Sequence, residues 1–168
     1  LITPSKENDN TCISAIVNRI TTKDISVFAE AGYGKTHFAC SLTSNMLNCG
    51  KPVLFLTGST FRNCNDCESK IRSLLHLSEQ NTIFDVLDAL DFVAEMHHCR
   101  LPIIIDGLNE TVPYAYRWKE ELPPLKRKII ERQNLILVTT CRAKEDYIQL
   151  IYGESNYEQI ENHVLLPG

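Results

Sequence analysis

Apolar residues follow two rhythms along this chain, and the rhythms alternate. Short continuous runs, Ile25-Ser-Val27-Phe28-Ala29, Pro52 to Thr57, Leu101 to Ile105 and Leu135 to Thr140, read as strands covered on both faces. Between them apolar positions recur at helical spacing. Phe38, Ala39, Leu42 and Met46 mark one helix, with Gly50 placed to end it. Ile83, Val86, Leu87, Leu90, Val93 and Met96 mark another, capped by Asn81 or Thr82. Further helices are expected at 11–20 (Cys12, Ile13, Ile16, Val17, Ile20), at 68–77, from Pro123-Pro124 to about Arg132, and at 143–152. His163 to Leu166 reads as a last strand, and residues 58–66 and 111–122 as irregular connections, the second rich in aromatics. Strands alternating with helices predict an α/β fold of three layers, a mostly parallel five-stranded sheet with helices on both faces. Residues 1–10 form a polar leading segment, and 11–168 read as one domain.

The first strand runs into Ala29-Glu30-Ala31-Gly32-Tyr33-Gly34-Lys35-Thr36, followed by His37 and the first helix. Strand, Gly-rich loop, Lys-Thr and helix, in that order, form a P-loop. Gly32 and Gly34 allow positive φ angles, so successive amides point into one concavity, and the helix adds its own unpaired N–H groups. Residues Ala31 to His37 are therefore the candidate phosphate cradle, with Lys35 on the β- and γ-phosphates and Thr36 on Mg²⁺. Ala29 stands where the usual pattern begins with Gly.

Two other strand ends carry matching chemistry. Ile103-Ile-Ile105-Asp106 has the form of a Walker B strand, whose acid holds the metal shell at the carboxyl edge of the sheet. Glu110, four residues on, is the candidate general base that orients water. Thr139-Thr140-Cys141-Arg142 ends the next strand, and its polar and cationic groups, Arg142 above all, are placed to read a γ-phosphate. Glu110 and Arg142 are thus the catalytic candidates, Thr36 and Asp106 the metal ligands, and ATP or ADP with Mg²⁺ the ligands.

Composition narrows the class. Hydrophobic residues make up 43% and charged ones 23% of 168 residues, the mix of a soluble globular domain. A net charge of −4 offers no general attraction to nucleic acid, and no apolar run reaches 18 residues. Seven scattered cysteines do not form a secreted disulfide framework, and beside a P-loop they point to a reducing cytoplasm. The chain starts at Leu1 without Met, as expected of a domain cut from a larger protein.

The blocks 29–36, 103–110 and 135–142 together resemble the nucleotide-binding domain of STAND-class P-loop ATPases, specifically the NACHT group. The middle block is the specific one: Asp106, a small Gly107 and the further acid Glu110 match that group's form, and Arg142 is similar to its sensor 1 arginine. Asn109 departs from an acid common in the family, a change that implies slower hydrolysis or weaker metal binding. The resemblance implies a switch that exchanges ADP for ATP, homo-oligomerises, and works with helical and winged-helix domains, sensor repeats and an effector, in innate or antiphage defence. It also implies a sheet in which the 135–140 strand lies between the P-loop strand and the Walker B strand.

Other constellations are weaker. Cys64-Asn-Asp-Cys67 has zinc-ligand spacing without a matching second pair. Tyr114, Tyr116 and Trp118 are expected to pack a connector on the core, and Lys126-Arg127-Lys128 and Arg132 to form a solvated face. A P-loop metabolite kinase and a catalytically idle nucleotide-binding scaffold are the alternative functions. The chain lacks the Asn-Lys-x-Asp guanine motif of a GTPase and the Leu-Ser-Gly-Gly-Gln run of an ABC ATPase.

Overall fold

The computed structural model describes residues 22–167, so the leading segment and the helix expected at 11–20 lie outside the described residues. Five strands, β1 (Asp24–Ala29), β2 (Leu54–Thr57), β3 (Leu101–Asp106), β4 (Leu135–Arg142) and β5 (His163–Leu165), form one sheet. Every pairing is parallel and the order is β2-β3-β4-β1-β5. β4 therefore separates β1 from β3. Its register sets Thr139 opposite Ile105 on one side and Arg142 opposite Ala29 on the other. The carboxyl ends of all three strands meet at one edge.

Among the described residues five helices complete the layers: α1 (Lys35–Asn48), α2 (Cys67–Leu74), α3 (Ile83–Met96), α4 (Trp118–Ile130) and α5 (Glu145–Tyr152). Successive strand residues point to opposite faces, which divides the core in two. Ile25, Val27, Ile104 and Val138 pack with Ala39 of α1. Phe28, Ile103, Ile105 and Leu137 pack on the other face with Ile71, Leu87, Leu125 and Ile148 from α2 to α5. Burying such side chains on both faces stabilises the sheet by roughly 1.5–3 kcal/mol for each large one.

The elements differ from expectation in three places. On α1 only Ala39 is buried, with Phe38, Leu42 and Met46 partly covered. On α3 the buried face runs Ile83, Val86, Leu87 and Ala94, while Val93 and Met96 are exposed. A 3.6-residue period carried from Ile83 through Leu87 arrives at Ala94, and the larger side chains beside it fall off the stripe.

The third difference is α4, which starts at Trp118, so Pro123 and Pro124 lie inside the helix and not at its opening. Tertiary contacts override the proline signal here. The Trp118 ring stacks edge-on against Phe61 at 5.1 Å, its indole N–H donates to Thr111 Oγ1 at 2.8 Å, and Arg117 pairs with Glu121 at 2.7 Å. The carbonyls that lose a donor belong to Lys119 and Glu120, both solvent-exposed, where water serves in place of the missing N–H.

The expected connections are also more ordered. Residues 58–61, 108–111 and 114–117 form 3-10 turns, and Phe61 is buried. Of the three connector aromatics Trp118 packs inward, while Tyr114 and Tyr116 are exposed. The basic residues do not form a purely solvated face: Lys126 pairs with Asp24 at 2.6 Å, Lys128 with Glu68 at 2.5 Å and Arg132 with Asp88 at 2.8 Å. Cys64 and Cys67 are free thiols, and no group of three His, Cys, Asp or Glu able to hold a metal occurs among the described residues. No helix there is long and apolar enough to cross a membrane.

Candidate phosphate-binding site

β1 leads straight into the loop. Ala29 is fully buried and is the last paired residue of the strand, opposite Arg142, so the position needs no glycine. Gly32 and Gly34 take φ of 85° and 79°, the left-handed region where a side chain is strained. α1 begins at Lys35, two residues before the expected start, with the Phe38 N–H bonded to the Gly34 carbonyl at 2.8 Å. No side chain caps its first amides and no acid sits in its first turn. Those amides and the positive helix end favour an anion.

The Lys35 ammonium donates to the carbonyls of Ala29 at 2.9 Å and Glu30 at 2.7 Å. Burial and the Arg142 guanidinium lower its pKa, opposed by the carboxylates of Asp106 and Glu30. Lys35, Asp106 and Arg142 therefore feel one another's charge at the same sheet edge. Burial pushes the intervening Cys141 thiol up to about 12, so it stays neutral and unreactive at physiological pH.

The second rim is the turn after β3. Asp106 is 4% exposed, and its Oδ1 accepts from the Thr140 hydroxyl at 2.6 Å. The same hydroxyl oxygen accepts from the Gly107 N–H at 2.8 Å. One threonine thus fixes both the acid and the turn behind it. Asn109 is equally buried, and its Oδ1 accepts from the Arg142 N–H at 3.1 Å. Glu110 is exposed; its N–H closes the turn on the Gly107 carbonyl at 2.8 Å, and its own carbonyl accepts from Arg62 at 3.0 Å. Gly58, leaving β2, packs against this turn so closely that a Cβ there would lie 2.0 Å from the Gly107 oxygen.

The two rims enclose a cleft of about 280 Å³. Ala31, Gly32, Gly34, Lys35, Thr36 and His37 line it from the loop, and Asn109, Glu110 and Arg142 from the other side. Eight of the candidate residues meet there, and Asn109 joins them. Tyr33 is apart: its ring is exposed outside the lining, and its N–H is bonded to the Glu30 carbonyl at 3.3 Å. Asp106 lies behind the wall and does not line it. Thr139 and Thr140 do not read the cleft either. Thr139 bonds Ser26 and Tyr152 at 3.2 Å each, and Thr140 serves Asp106.

Sequence reasoning missed Thr140, Asn109, Arg62 and Gly58 as supports of the site. Two polar residues closing an otherwise apolar buried strand were the available signal for Thr140, since a buried hydroxyl must find a partner. Nothing local marked Arg62 or Gly58, whose partners lie 48 and 49 residues away.

Comparisons with known proteins bear on the fold. No family model and no curated protein matches the chain. Among solved structures it is similar to a DNA replication initiation factor, with 14% identity and a TM-score of 0.52 over 98% of this chain and 47% of that one. It is also similar to C. elegans PCH-2, with 17% identity and a TM-score of 0.48 over 99% of this chain and 44% of that one. The chain spans less than half the length of either protein. Loop, strand order and the first of these superpositions agree, and the chain has the α/β, three-layer P-loop NTPase fold with an all-parallel five-stranded sheet.

Proposed function

We propose that this chain is an ATP- and ADP-binding module that hydrolyses ATP slowly and serves as the nucleotide switch of a larger, NACHT-like STAND protein. The observation that carries the reading is the convergence of the loop, Glu110 and Arg142 on a single cleft. Lys35 and the amides of residues 31–37 would bind the phosphates, with Lys35 exchanging its two carbonyl partners for phosphate oxygens. Arg142 offers a second cation for charge that develops as the terminal phosphoryl leaves. Glu110, exposed at the rim, would accept a proton from water.

Thr36 and Asp106 supply the hydroxyl and carboxylate oxygens that suit Mg²⁺, and two protein donors fit an ion otherwise held by phosphates and water. That ion, when bound, would supply neutralising charge on the β- and γ-phosphates. Thr140 fixes the Asp106 carboxylate through Oδ1.

The position of β4 between β1 and β3 supports the ATPase reading over the metabolite kinase, because the resemblance implied this order for such ATPases. Homo-oligomerisation, coupling to helical and winged-helix domains, sensor repeats and an effector, and a cytoplasmic role in defence belong to the same proposal and rest on the resemblance of the three blocks.

Glu110→Gln tests the catalytic part. The variant should bind ATP as the wild type does and turn it over about 100-fold more slowly, the loss typical of a missing general base. Unaltered turnover would overturn the assignment of Glu110. Tight binding by the wild type with no turnover at all would instead favour the idle scaffold.

A further inference from the structure

We infer that Asn109 is a specificity residue whose side-chain amide donates to the terminal phosphate and so sets the preference for triphosphate over diphosphate. The inference rests on the nucleotide reading above.

Its basis is the orientation of one buried amide. Asn109 is 4% exposed and lines the cleft beside Glu110 and Arg142. Its carbonyl oxygen accepts from the Arg142 N–H at 3.1 Å. Only the oxygen of an amide accepts from an N–H, so this bond fixes which way the group points. Nδ2 then faces away from β4, and among the described residues nothing accepts from it. The atom is not sealed in protein, since the one sealed and unpartnered side-chain atom among the described residues is Arg72 Nε. Asn109 lines the cleft, Nδ2 carries the two neutral N–H donors it can offer there, and leaving a nearly buried donor without an acceptor is unfavourable.

The location selects the ligand atom. Lys35, Thr36 and the loop amides form the opposite wall, and Asn109 shares its wall with the candidate base and the β4 arginine. A group on the Glu110 side meets the end of a polyphosphate, where ATP and ADP differ. Donor capacity is the second consideration. The acid common in the resembled family would keep the Arg142 bond and offer its second oxygen to a metal, with no N–H to give a phosphate oxygen. Asparagine keeps the structural bond and adds donors in that place.

The test is calorimetric titration of the protein with the magnesium complexes of a non-hydrolysable ATP analogue and of ADP, for wild type and Asn109→Asp. The variant should lose about tenfold or more in affinity for the triphosphate analogue and change less than about twofold for ADP. Equal losses for both ligands, or no loss for either, would overturn the inference while leaving the nucleotide reading intact. Failure of the wild type to bind either ligand would overturn both. If Asn109→Asp does not fold, the wild-type side-chain amide resonances of Asn109 provide the readout. The triphosphate analogue should shift them and ADP should not; identical responses to both would count against the role.

Discussion

The two rims of the cleft are built by different means. The loop rim, residues 31–37, works through backbone amides, and its glycines have open space around them: a Cβ at Gly32 or Gly34 would meet nothing within 4 Å. The turn rim, residues 106–110, is tied to other elements: Thr140 to the Asp106 carboxylate, the Arg142 backbone to the Asn109 side chain, Arg62 to the Glu110 carbonyl, and Gly58 packed against the Gly107 backbone. A loop that binds with its backbone can yield to its ligand. A turn bonded to β4 and to Arg62 and packed against Gly58 is fixed before any ligand arrives.

This contrast makes substitutions on the two rims unequal. The largest effect belongs to Gly58→Ala. Its methyl would collide with the backbone of Gly107 and Asp106, and the loss of stability should reach about 3 kcal/mol in chemical denaturation. Gly32→Ala meets no neighbour and should cost only the strain of a left-handed side chain, about 1–2 kcal/mol. Equal losses would erase the distinction between the rims. Thr140→Val comes next. It removes the donor to the buried Asp106 carboxylate and the acceptor for the Gly107 N–H, and should destabilise by about 2–3 kcal/mol. A neutral result in thermal and urea unfolding would mean the turn holds itself.

Away from both rims the effects shrink. Asp66 caps α2 through the Ser69 N–H at 2.7 Å, and Asp66→Ala should cost about 1 kcal/mol. Burial alone would raise the Asp66 pKa, but the bonds from Ser69 and the charges of Arg72 and Arg117 hold it below its ordinary 3.8. With the folded value below the unfolded one, this stabilisation is present above pH 3.8 and fades as pH falls through the folded value. The variant should lack that share of the acid sensitivity, and identical acid unfolding curves would show the cap contributes none of it.

The same contrast explains what the sequence disclosed. The course of the loop rim was legible, though Tyr33 falls outside the cleft, because its geometry follows from two glycines, a lysine and a threonine in fixed order between a strand and a helix. The strands were legible too, since Ile103 to Ile105 and Leu135 to Val138 are apolar without alternation, and the five-stranded parallel sheet followed from them. The supports of the turn rim were not. Asn109 read as a mere departure from an acid, because its bond to Arg142 spans 33 residues and leaves no local trace. The start of α4 was hidden for the same reason: Pro123-Pro124 is a strong local signal, and the burial of Trp118 against Phe61 outweighs it.

The most direct measurement of the central claim is calorimetric titration of magnesium–ATP into the wild type and into Lys35→Ala. The account predicts saturable binding with one site per chain in the wild type and none detectable in the variant, with both proteins folded by circular dichroism. Binding of undiminished affinity by Lys35→Ala would contradict it.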